Sequence, residues 1–217
     1  MESKHKMNLT TSLSLDQIAL ETTTDRSSRY HHYTNTYEEV FKHLRDKPIT
    51  LLEQGILSGD GLKMWRKYFH NPKANIYGLD FEKKFTPGPG SGIGTFLGNQ
   101  KDVAFLQDVV STTGPLDICI DDAGHFYTDQ VPAFEFLWWY VKPGGFYTCE
   151  DLHTSWHPQH SEGGRIIDYF TDIVKDVQDH GETWHGKPIE RDKWYSIDWM
   201  MFRKGLVILR KRLSPEV

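Results

Sequence analysis

The sequence predicts an α/β domain whose mostly parallel sheet is covered by helices on both faces and finished by an antiparallel hairpin. Three observations lead there. Short apolar runs alternate with amphipathic stretches from Ile49 to Val177, which implies parallel βαβ units. Those runs end in acids, at the sheet edge where parallel sheets present ligand-binding residues. The last two runs, WYSIDWMMF and LVILRKR, are separated only by Arg203-Lys204-Gly205, too short for a crossover and suited to a hairpin.

The elements follow in order. Residues 1–13 are polar and rich in Ser and Thr and read as a flexible tail. Residues 14–217 read as one domain, with 14–48 an N-terminal helical lid laid against it. A short helix is expected at Leu15–Leu20 and an amphipathic one at Tyr37–Leu44, with Val40, Phe41 and Leu44 at helical spacing. ITLLEQG (Ile49–Gly55) is the first strand, followed by a helix at Leu62–Phe69 that Asn71-Pro72 closes. NIYGLD (Asn75–Asp80) is the second strand, and FTPGPGSGIG a loop before a short strand at Thr95–Leu97. A helix at Asp102–Val110 leads to the strand LDICID (Leu116–Asp121). Then come a helix at Asp129–Tyr140, a turn at Lys142-Pro143-Gly144-Gly145, the strand Phe146–Asp151, an irregular insertion at His153–Gly164 and a helix at Arg165–Val177.

Composition excludes several function classes. With 217 residues the chain can bury a core without staples. The net charge of −5, from 25 basic and 30 acidic residues, comes with no cluster of Lys and Arg, so nucleic acid is not an expected partner. No apolar run is long enough for a membrane span, and the start MESKHKMNLTT has no secretory middle, which makes the cytoplasm the default location. Cys119 and Cys149 both lie in apolar strands and are expected as buried, reduced thiols. Seven tryptophans and the run Phe136-Leu137-Trp138-Trp139-Tyr140 raise the prospect of a homodimer interface, although core packing is the favoured reading of that run.

Two constellations carry chemistry. After the first strand stands Glu53-Gln54-Gly55-Ile56-Leu57-Ser58-Gly59, where glycines let the backbone approach a ligand. Asp80, at the end of the second strand, is placed for a carboxylate that accepts from ribose hydroxyls. The third glycine of a pyrophosphate-binding GxGxxG is missing, so a nucleoside cofactor without a pyrophosphate fits better, and S-adenosylmethionine (SAM) is one. The second constellation is Asp121-Asp122-Ala123-Gly124-His125 with Glu150-Asp151 at the next strand end. Such carboxylates raise one another's pKa unless a cation compensates, and a hard divalent ion such as Mg²⁺ would do so. The alternatives are that Asp122 and Asp151 cap helices and that His125 is structural. His153, His157 and His160 have no cysteine and no common zinc spacing, and read as a solvated loop.

The segments TDRSSRYHHYTNTYE, LLEQGILSGDGLKMWRKYF, IYGLD, GNQKDVAFL, IDDAGH and VKPGGFYTCEDLHTSW together resemble a known family. It is that of the metal-dependent class I SAM O-methyltransferases typified by the mycinamicin macrolide-sugar enzymes, which is related to cephalosporin hydroxylase-like proteins. The resemblance runs from Thr24 to Ser155 and implies a Rossmann-like class I methyltransferase fold. It implies a metal held by Asp122, Glu150 and Asp151, with Asp122 and His125 catalytic and His125 the general base. It further implies SAM binding by Glu53, Gly55, Gly59 and Asp80, Gln100 near the adenine, and closure by the Thr24–Tyr37 segment, Tyr33 included. The sequence departs from the family pattern at Arg26, where Lys is usual, at Gln54, where an aliphatic residue is usual, and at Ala123, where Gly is common. Some sugar-modifying members carry an extra N-terminal domain, for which the single-domain expectation here has no counterpart.

The expected reaction is methyl transfer from SAM to a hydroxyl of a small-molecule acceptor. A hydroxyl becomes nucleophilic near neutral pH when a cation lowers its pKa and a base takes its proton. Three protein oxygens leave about three octahedral positions, which suits a vicinal diol, a catechol or a hydroxy-carbonyl. Two other functions fit the sequence: a hydroxylase-like reaction at the same metal, or a non-catalytic SAM-fold subunit that binds a partner enzyme.

Overall fold

The computed structural model describes residues 12–178 and 196–213. Most of the expected 1–13 tail lies outside them, as do Trp194 and Tyr195 of the expected WYSIDWMMF strand. Seven strands, β1 (Thr50–Gln54), β2 (Asn75–Asp80), β3 (Ile93–Leu97), β4 (Leu116–Asp121), β5 (Val141–Cys149), β6 (Ile197–Arg203) and β7 (Leu206–Lys211), form one sheet in the order β3-β2-β1-β4-β5-β7-β6. The first five pair in parallel, and β7 runs antiparallel between β5 and β6. The expected hairpin thus forms at the edge of the sheet. The strand order reverses between β1 and β4, which is where an open sheet leaves a crevice at its carboxyl edge.

Successive strand residues face opposite sides, so β1 sends Leu51 to one layer and Leu52 to the other, as β4 does with Ile118 and Cys119. The first layer is built by α1 (Leu15–Thr22), α2 (Tyr33–Phe41) and α3 (Asp60–Tyr68), whose Tyr37, Phe41 and Trp65 stack over Phe146 and Ile208. The second is built by α4 (Val103–Thr113), α5 (Tyr127–Leu137) and α6 (Ile166–Gln178), with Leu106, Phe134, Trp138 and Phe170 over Tyr147 and Leu209. Ser14 and Gln17 close a capping box on α1, and Asp102 accepts from the N–H groups of Ala104 and Phe105 to start α4. Cys119 and Cys149 are free and buried in the second layer, as expected.

Several boundaries differ from the sequence reading, each for a local reason. Helix α2 starts at Tyr33, four residues before the expected Tyr37, because polar side chains in its first turn find carboxylate partners: Thr34 Oγ1 donates to Asp16 at 2.7 Å and Tyr33 Oη to Asp151 at 2.7 Å. The Lys142–Gly145 turn is absorbed into β5 as an irregularity, with the register slipping between Leu116 and Ile118 and Gly144 at φ 77°. Strand β3 begins two residues early at Ile93, and the 153–164 insertion carries two 3₁₀ turns, Leu152–Trp156 and Pro158–His160. The aromatic run splits: Leu137 and Trp138 are in the core while Trp139 is exposed, so packing explains most of it. No helix among the described residues is long and apolar enough to cross a membrane.

Gly55, just past β1, has φ 80°, and a Cβ there would lie 2.2 Å from the Asp122 carbonyl oxygen. Both the left-handed backbone and the close approach of the two strand ends require glycine. Gly55→Ala is therefore expected to cost about 2 kcal/mol or more in urea unfolding; an unchanged midpoint would show that the two loops can separate freely.

Candidate active site

A cleft of about 670 Å³ opens at the carboxyl ends of β1, β2, β4 and β5, where the strand order reverses. Glu53, Gly55, Asp80, Gln100, Asp122, His125 and Asp151 all line it. Gly59 and Tyr33 are not among its lining residues. Gly59 starts α3 at φ 76° with no room for a Cβ beside the Phe85 ring, and Tyr33 stands behind Asp151. Both shape the wall without forming its surface.

One end presents a carboxylate and a buried amide, Asp80 and Gln100. Asp80 Oδ2 accepts from the N–H groups of Ile56 and Leu57, each at 3.0 Å, and Oδ1 accepts from Glu82 N–H at 3.0 Å. These bonds pin the loop after β1 to the end of β2. A carboxylate has about four acceptor sites, so capacity remains for further donors. Gln100 is only 4% exposed, yet neither atom of its amide has a hydrogen-bond partner. It sits near enough to Asp121 to favour that group's anion without a bond of normal geometry. A buried amide on a cleft wall with donor and acceptor both unused is costly unless a ligand satisfies it.

The other end is acidic. Arg26, 2% exposed, sends each nitrogen of its guanidinium to a different strand end: Nη1 to Glu53 Oε1 at 3.2 Å, Nη2 to Asp122 Oδ2 at 2.5 Å and Nε to Glu150 Oε1 at 2.7 Å. Tyr37 Oη adds a second bond to Glu150 Oε1 at 2.6 Å. Asp151 accepts from Tyr33 on Oδ1, and its Oδ2 faces His125 Nε2 at 3.5 Å. One ligand atom each from Asp122, His125 and Asp151 lie within 4.8 Å of one another, the one such group among the described residues. Of the metal set that the resemblance implied, Asp122 and Asp151 are thus brought together at the cleft surface, with His125. Glu150 lies deeper, its Oε1 occupied by Arg26 and Tyr37. Two outer carboxylates, an imidazole and an excess of buried anions form a donor set that fits a divalent cation.

Electrostatics agree with that geometry. Burial pushes the Glu150 carboxyl up to about 7 although Arg26 opposes it, and burial with Glu150 nearby raises Asp122 well above the carboxylate range. Burial would lower Arg26, but Glu150, Glu53 and Asp122 hold it well above its usual value. Burial pushes the His125 imidazole below its ordinary value, against the pull of Asp151, which favours the neutral ring. His125 and Asp151 both have left-handed backbones, φ 59° and 54°, a conformation uncommon outside glycine and one that clusters at functional sites. The sequence reading missed Arg26 as the hub and Tyr33 and Tyr37 as second partners of the acids. The i, i+4 spacing of the two tyrosines on α2 was the available signal.

No family model matches the chain. The chain is 35% identical over 78% of its length to the 8-demethyl-8-(2-methoxy-alpha-L-rhamnosyl)-tetracenomycin-C 3'-O-methyltransferase of Streptomyces olivaceus, of which the match covers 46%. It is 34% identical over 61% of its length to the mycinamicin VI 2''-O-methyltransferase of Micromonospora griseorubida, covering 36% of that protein. Its fold superposes on the MycE methyltransferase from the mycinamycin biosynthetic pathway, solved in complex with Mg and SAH, with a TM-score of 0.81 at 24% identity, over 94% of this chain and 55% of that one. The resemblance read from the motifs is therefore matched by relatives that are sugar O-methyltransferases, and the architecture is the class I methyltransferase fold. The chain spans about half or less of the length of these relatives.

Asp121, fully buried beneath the cleft, has a carboxyl that burial pushes up to about 7; its Oδ2 accepts from Tyr147 Oη at 3.2 Å and its Oδ1 has no partner. Its folded pKa lies above the unfolded value, so the folded state binds the extra proton. Stability is then full below about pH 4 and is lost as pH rises through about 7. Asp121→Asn should remove its share of that slope in metal-free protein, leaving the share of Glu150 and Asp122, and raise stability at pH 8 by on the order of 1–4 kcal/mol. Urea melts at pH 5 and 8 measure it, and a slope identical to wild type would mean that Asp121 is already ionised at pH 5.

Proposed function

We propose that the chain is an O-methyltransferase that takes its methyl group from SAM, requires a divalent cation such as Mg²⁺, and acts on a hydroxyl of a small-molecule acceptor, a sugar-type diol being the class its site fits best. One observation carries the reading: a single cleft joins the unpartnered Gln100 amide and Asp80 at one end to Asp122, His125 and Asp151 at the other. A nucleoside and an acceptor can share it. The names of the relatives support the methyl acceptor class, and the MycE complex with Mg and SAH supports the cofactors.

When bound, SAM supplies an electrophilic methyl group, and the cation lowers the pKa of a hydroxyl in contact with it. The side chains of this chain hold the parts in place. The Gln100 amide offers one donor and one acceptor edge, matching the amine and ring nitrogen of adenine. Asp80 keeps lone pairs for ribose hydroxyls while it holds the Ile56–Leu57 backbone. Gly55 allows the cleft floor to lie flat between β1 and β4, and Glu53 lines it from behind.

Asp122 and Asp151 would hold the cation, with Glu150 behind them, leaving several octahedral positions for two adjacent acceptor oxygens. His125 is the base. Its neutral ring can take the hydroxyl proton at Nε2, and Asp151 Oδ2 at 3.5 Å then stabilises the imidazolium. Holding hydroxyl and methyl in line supplies much of the remaining rate.

Four substitutions test these assignments on the full chain. Asp80→Ala and Gln100→Ala should weaken SAM binding by calorimetry while leaving the acidic end able to bind Mn²⁺; unchanged affinity in both would remove the nucleoside end from the proposal. His125→Ala should spare SAM and metal binding but lower kcat by about 10²- to 10⁴-fold and abolish the histidine-like limb of the pH–rate profile. Loss of metal affinity in His125→Ala as severe as in Asp122→Asn would make the imidazole a ligand, and the base would lie elsewhere.

A further inference from the structure

Of the large apolar side chains that the fold leaves exposed, four line the cleft: Leu57, Phe81, Tyr30 and Phe126. Leu57 and Phe81 adjoin Asp80 at the nucleoside end, where a base has use for them. Tyr30 and Phe126 belong to the acidic end and have no part in the chemistry described above. Tyr30 stands four residues after Arg26, and Phe126 follows His125 directly.

Both rings are displayed on ordered backbone. Tyr30 is 62% exposed, yet its own N–H and that of His32 donate to the Ser27 carbonyl at 3.0 Å, and Asp16 clamps Ser28 through its N–H at 2.7 Å and its Oγ at 2.6 Å. Among the described residues the Tyr30 ring stacks on no other ring and its hydroxyl makes no hydrogen bond. Phe126 is 41% exposed at the start of α5, with the His160 ring at 4.8 Å and its own ring folded over Gly124, where a Cβ would come within 3.0 Å of it. A ligand that covered both rings would remove apolar area from water without the cost of ordering the backbone that carries them.

Charge narrows what they can meet. The Lys and Arg side chains on the lining are Arg26, whose three nitrogens are taken by acids, and Lys84, which pairs with Glu82 at 2.7 Å beyond Asp80. Asp25 adds a further carboxylate that is 64% exposed. A phosphate or carboxylate on the acceptor would meet repulsion with no free lysine or arginine among these residues to offset it. We propose that Tyr30 and Phe126 are acceptor-binding residues, two aromatic surfaces that hold a flat, apolar and uncharged body carried by the acceptor next to its reacting diol. This rests on the reading of the acidic end as the diol site. A diol on its own would leave both rings in water.

Calorimetry on the full chain saturated with S-adenosylhomocysteine and Mg²⁺ compares catechol with 2,3-dihydroxynaphthalene, which carries the same pair of hydroxyls on a body larger by one fused ring. Wild type should bind the naphthalene diol about ten-fold or more tighter. Tyr30→Ala and Phe126→Ala should each reduce that ratio by about three-fold or more, with the affinities for S-adenosylhomocysteine and Mn²⁺ unchanged. Trp139→Ala removes a ring of similar exposure, 59%, away from the cleft and should keep the wild-type ratio. The two diols differ in acidity, but that difference is common to every protein and cancels in the comparison.

A wild-type ratio near one, or a ratio that both cleft variants keep, overturns the proposal. Should Phe126→Ala lose S-adenosylhomocysteine binding through a disturbed α5, Tyr30→Ala, whose ring stacks on no other, decides the matter alone. Failure of the wild type to bind either diol with Mg²⁺ present would sink the diol reading and this inference with it, whereas catechol binding with no gain from the second ring sinks the inference alone.

Discussion

A single guanidinium joins the parts of this cleft. Glu53 comes from the end of β1, Asp122 from just past β4 and Glu150 from just past β5, and Arg26 bonds all three from a segment outside the sheet. Buried carboxylates that met without it would be driven to protonate. With it, the strand ends can be brought close, and the outer acids are left facing the cleft. Truncating one member of such a buried network leaves the others uncompensated, a loss of roughly 3–5 kcal/mol in comparable sites.

The two ends of the cleft are built by different means. The acidic end relies on long side chains reaching in from α2 and the segment before it, through Arg26, Tyr33 and Tyr37. The other end relies on backbone: the loop after β1 is held by Asp80, and its glycine comes within contact of the loop after β4.

Most of the fold was legible because alternation and punctuation agree: apolar strand runs, acids at their ends, and Gly or Pro between elements. The strands with the strongest period, β1, β2 and β4, match the sequence reading within a residue or so at each end. The misses have a common cause. Tyr33 and Thr34 are polar enough to read as loop, yet they open a helix because Asp151 and Asp16 accept hydrogen bonds from their hydroxyls. Lys142–Gly145 has the composition of a turn, but Lys142 pairs with Asp117 at 2.7 Å and the glycines bend the strand without ending it. At the site, the acids and His125 stood out at strand ends, whereas Glu150 and Asp122 could not be separated into inner and outer positions. That distinction depends on Arg26, about a hundred residues away in sequence, and no local pattern encodes it.

The turn of the β6–β7 hairpin backs the wall of the cleft. The Gly205 carbonyl accepts from Tyr33 Oη at 3.2 Å and from the Leu152 N–H at 3.0 Å, beside Asp151. Its φ is 74°, and any Cβ at this position would lie 2.4 Å from Tyr33 Oη, which leaves room for nothing larger than glycine. The bond to Tyr33 spans 172 positions in the chain, and contacts that distant form late because loop closure must precede them. During synthesis from the N-terminus, Asp151 therefore lacks its full support until the last strand pair has been made.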